Sequence, residues 1–84
     1  MPIISVFYGI TIRIYFRQGE HNPPHIHAVY GEHVAAVSIQ TGTILDGYLP
    51  PKAFAMVKEW SQKHRSALME MWETQNFYRL PPLE

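Results

Sequence analysis

The clearest pattern in the chain is the strict alternation from Ile10 to Arg17. Ile10, Ile12, Ile14 and Phe16 mark one face, and Thr11, Arg13, Tyr15 and Arg17 mark the other. A period of two over eight residues predicts a half-buried β-strand. The apolar run Ile3 to Phe7 predicts a strand before it, with Tyr8-Gly9 as the turn. His25 to Tyr30 predicts a third strand, and Gly31-Glu32 a two-residue hairpin turn. In that register Tyr30 pairs with His33, Ala28 with Ala35, and Ile26 with Val37. Ile26, Ala28, Ala35, Val37 and Ile39 then share the core face, while His25 and His27 share the opposite one. Thr41-Gly42 marks a further turn, and Thr43 to Tyr48 a short fifth strand whose parity Ile44 and Leu45 leave open. Gly9, Gly31 and Gly42 are each expected in a tight connection, at least one with positive φ.

After Leu49-Pro50-Pro51 the period changes. Ala53, Phe54, Val57 and Trp60 recur at helical spacing, and Pro51 suits a first helical turn. A break falls near His64 to Ser66, with Ser66 as a candidate cap. Ala67, Leu68, Met71 and Trp72 form the stripe of a second helix. Asn76 to Glu84 reads as a tail. The expected fold is α+β: an antiparallel β-meander of about five short strands, then two helices packed on one face. Residues 1–84 are read as a single domain.

Composition narrows the function classes. Hydrophobic residues make up 46 % and charged residues 17 %, a globular balance. Seven basic and seven acidic residues cancel, which argues against a surface that grips nucleic acid everywhere. A local basic patch is still compatible with that balance. There is no cysteine, so neither a disulfide nor a thiolate metal site forms, and a cytoplasmic location is expected. No run approaches the ~20 apolar residues of a membrane span, so no membrane partner is expected. A core built from 84 residues is thin. A homo-oligomer or hetero-complex is expected, through an edge strand or the tail around Phe77 and Tyr78.

The candidate chemistry gathers around His21-Asn22-Pro23-Pro24-His25-Ile26-His27. If the second and third strands are neighbours, Arg13, Tyr15 and Arg17 join His25 and His27 on one sheet face, away from Trp60 and Trp72. Histidine works as acid or base near neutral pH, and arginine binds phosphate oxygens. These five residues are the candidate catalytic set for an RNA or other phosphate-ester site, and the arginines are expected to lower the histidine pKa values. The bland alternative is a solvated sheet face, which docks a partner or RNA without chemistry. Metal binding by His25 and His27 is a third reading, with His21 or Glu20 as further ligands. The spacing leaves the metal open, and no cofactor is expected. Trp60 and Trp72 read as core anchors, and His64 as a helix-end residue.

Specific motifs also carry a resemblance that runs almost end to end. They are Met1-Pro2, Ile4-Ser5, Phe7, Gly9-Ile10, Tyr15-Phe16, His21-Asn22-Pro23-Pro24-His25, His27-Ala28, Tyr30-Gly31, Thr41-Gly42, Gly47, Leu49-Pro50-Pro51, Trp60, His64-Arg65 and Trp72. In these the chain resembles the small bacterial domain of unknown function 4160. Ser66-Ala67 stand where that family often has an acidic pair, so no acidic role is carried over there. The resemblance implies a small partner protein of the domain of unknown function 2442 type. It also implies a role in a toxin–antitoxin-like pair, on the toxin side.

Overall fold

The computed structural model describes residues 2–14 and 23–84. Tyr15, Phe16, Arg17, Glu20 and His21 lie outside the described residues. The expected α+β meander is present. Strands β1 (Ile3–Phe7), β2 (Ile10–Arg13), β3 (His25–Tyr30), β4 (His33–Ser38) and β5 (Ile44–Gly47) form one antiparallel sheet in chain order. Helices α1 (Pro51–Lys63) and α2 (Arg65–Thr74) follow.

Alternation decides which face the helices cover. Ile10, Ile12, Ile26, Ala28, Ala35 and Val37 are buried, and they form one cluster with Val57, Trp60, Leu68 and Met71 of the helices. The β3–β4 register matches the expected one: Tyr30 opposite His33, Ala28 opposite Ala35, Ile26 opposite Val37. Gly9, Gly31 and Gly42 all sit in strand connections at positive φ. Tyr8 shares that conformation at φ 51°, so both central residues of the β1–β2 turn are left-handed, as a tight hairpin requires.

Two boundaries differ from the sequence reading. β5 is shorter than Thr43 to Tyr48, because its register with β4 slips between Ala36 and Val37 and it ends at Gly47 with φ 85°. Ser66 does not cap α2. His64 holds the position between the helices: its N–H donates to the Trp60 carbonyl, and its own carbonyl accepts from Leu68. The tail packs on the sheet and helices and leaves Tyr78 44 % exposed. Phe77, Leu80 and Leu83 pack on the protein's own core, and the Leu80 N–H donates to the Ile4 carbonyl at 2.8 Å. Trp60 fixes it further, donating Nε1–H to the Pro81 carbonyl at 2.8 Å.

Candidate functional site

Residues paired across a sheet point to the same face, so the register names the face that the helices leave open. One row crosses all five strands there: Ile3, Arg13, His27, Ala36 and Asp46. Arg13 stands directly opposite His27. Ala36 separates His27 from Asp46 with only a methyl group. A second row runs Val6, Thr11, Val29, Val34. Val6 and Val34 are 46 % and 48 % exposed, so that row is an apolar strip beside a polar one.

His25 opens β3 opposite Ser38, on the same face. Its ring meets the His27 ring at 5.1 Å, edge to face. Its Nδ1–H donates to the Pro23 carbonyl at 2.8 Å, which leaves Nε2 as the working nitrogen. Pro24 disfavours a helical conformation at Pro23 and so sets the direction of that carbonyl. Arg13 has a half-buried side chain whose Nε finds no hydrogen-bond partner among the described residues. A buried donor of that kind is costly without an acceptor.

A family model described as "Domain of unknown function (DUF4160)" matches residues 9–73. The chain belongs to this family. No curated protein and no solved structure matches it. The DUF4160 match runs from the β1–β2 turn almost to the end of α2, so Arg13, His25, His27 and Asp46 all lie within it. The strand β1 and the tail fall outside.

Arg13, His25 and His27 are thus brought together, while Tyr15 and Arg17 lie outside the described residues. One part of the expected placement is corrected. His25 is not clear of the helices: the Trp72 ring of α2 lies 5.1 Å from it, at the end of the sheet where β3 begins. The expected cause of the histidine shift is corrected too. The His27 pKa is lowered, first by burial and then by the charge of His25, while Asp46 pulls it back up. Among the described residues no arginine contributes. His33 faces the helix side, with its ring 5.4 Å from that of Tyr48. The His64 ring lies tilted against Trp60 at 5.1 Å, and burial and Lys63 lower its pKa. Among the described residues no three His, Cys, Asp or Glu side chains could hold a metal ion together.

Asp46 is the member of the row that sequence reasoning missed. Its face depends on the slip between Ala36 and Val37, which alternation alone does not reveal. Its charge can be checked directly. An NMR titration should place the His27 midpoint below the ordinary 6.5, and Asp46→Asn should lower it further, since the raising charge of Asp46 is then gone. A midpoint above 6.5 would contradict this geometry. The unfolded chain then binds this proton more readily than the folded one. The stability due to His27 is therefore complete above about pH 6.5 and is lost as the pH falls through the folded value. His64 acts in the same direction.

Proposed function

We propose that this protein is the toxin side of a bacterial toxin–antitoxin-like pair and acts on RNA through the face of Arg13, His25 and His27. Its partner is a small protein of the domain of unknown function 2442 type. The pairing rests on the family resemblance. The chemistry rests on one observation: Arg13, whose buried Nε has no partner among the described residues, stands opposite His27, whose ring touches a second histidine.

The step would be an internal transfer within RNA. Arg13 binds the phosphate oxygens and offsets charge in the transition state. Neutral His27 takes the proton of the 2′-hydroxyl, and the 2′-oxygen attacks phosphorus. His25, entering the step as the imidazolium, delivers its Nε2 proton to the departing 5′-oxygen as the phosphorus–O5′ bond breaks, with its Nδ1–H still on the Pro23 carbonyl. The products are a 2′,3′-cyclic phosphate and a free 5′-hydroxyl.

The test is cleavage of defined RNA oligomers by the purified chain. His27→Ala should lower the rate by about 10²–10⁴, the usual worth of a positioned acid or base, and His25→Ala comparably. Cleavage that survives both changes would assign the activity to a contaminant. The exposed valines favour a second reading, in which the same face docks a protein or RNA without chemistry. RNA bound but left intact by the unaltered chain would select it.

A further inference from the structure

We infer that the open sheet face is self-complementary and that a second copy of this chain closes it, face to face, about a two-fold axis running along the strands between β3 and β4. Such an axis turns the face over and exchanges its two sides. β3 then lies over the partner's β4, and β2 over the partner's β5. The polar row runs Arg13, His27, Ala36, Asp46 across these four strands. Turned over, it sets Arg13 against the partner's Asp46 and His27 against the partner's Ala36. The apolar row sets Val29 against the partner's Val34.

Each pairing fits in charge or in size. Sheets packed face to face lie about 10 Å apart, a gap that a long arginine and a short aspartate bridge together. The His27 ring fills the hollow left by a methyl group. The Arg13 Nε, which has no partner within the described part of its own chain, gains a carboxylate. Other placements fail on the same register. An axis along the row would set Arg13 on the partner's Arg13 and Asp46 on the partner's Asp46. An axis along β3 would stack His27 on the partner's His27 and leave Asp46 over the partner's Ile3. An axis along β4 would leave Arg13 with nothing opposite.

Three further facts suit a second copy. Apart from Trp72 at the His25 end, the helices cover the other face. Val34 is about half exposed on this one and lies within the overlap. Formal net charge is zero, so one copy does not repel another. This inference does not depend on the RNA reading. Where both hold, the partner's Asp46 and an RNA phosphate are rival acceptors for Arg13, and the paired form is the closed one.

Sedimentation of the full chain over a range of concentrations tests it. A concentration-dependent dimer is expected. Arg13→Glu or Asp46→Arg alone should weaken it about a hundredfold, because each reversal sets two like-charge pairs facing one another. The two changes together should restore dimerisation to within a few-fold of the original. Val34→Glu, at an exposed site, should also dissociate it without unfolding the chain, as circular dichroism would confirm. A monomer at the highest attainable concentration would overturn the proposal. So would a dimer indifferent to both reversals, or a double variant as weak as the singles. Sedimentation reads none of the RNA chemistry, so a failure of either reading is seen separately.

Discussion

Replacing Trp60 with alanine should cost about 4 kcal/mol, most of the stability a chain this small holds. Trp60 is wholly buried. Its ring packs against Phe7 at 5.6 Å and His64 at 5.1 Å, joining α1 to β1 and to the start of α2. Its Nε1–H is also the bond that secures the tail at Pro81. Alanine therefore opens a cavity and releases the tail together. Trp60→Phe keeps most of the packing and loses only the hydrogen bond, for about 1 kcal/mol. Urea unfolding should separate the two variants clearly. Equal midpoints would mean that the bond to Pro81, not the packing, is what matters.

Gly47→Ala should cost about 3 kcal/mol and detach β5 from the sheet. Gly47 sits opposite Ala35 at φ 85°, a conformation that L side chains resist. A methyl group there would run into the Val34 carbonyl oxygen and lie 2.9 Å from the Ala35 Cα. Both are backbone atoms of β4, so neither can swing aside. Gly31→Ala is the control: φ is 61°, but nothing lies within 4 Å of the new methyl group. It should cost only the left-handed penalty, about 1 kcal/mol. Thermal unfolding compares them, and amide exchange at Ile44 and Leu45 locates the damage. Similar losses at both glycines would show that backbone conformation alone, without the close approach to Val34, sets the effect. Losing β5 also displaces Asp46, so the His27 midpoint should shift in the same variant.

Much of this arrangement was legible in the residues. Alternation from Ile10 and the Gly31-Glu32 turn together fix which side chains share a face, because a one-residue slip would bury His25 and His27 and expose Ile26. That pattern places Arg13 beside His27. The α1 start was equally plain, since Pro51 suits a first turn. What escaped depended on distant parts of the chain. Asp46 joins the row only through an irregular register. Trp72 meets His25 only once α2 has docked. The helix break gave no clue that His64, rather than a serine, would take the junction, since that junction uses backbone groups and no side-chain cap.

The bond between Leu80 and Ile4 bears on the order in which the protein assembles. Each strand of the meander pairs with its neighbour in the chain, so those pairings close short loops and form early. The tail must instead reach back across nearly the whole described chain to β1. Closing so long a loop costs chain entropy before its contacts compensate. The tail is therefore the last segment to settle and the first to leave. Until it docks, β1 shows a bare edge, and the folding chain passes through a stage at which it can pair with the wrong strand.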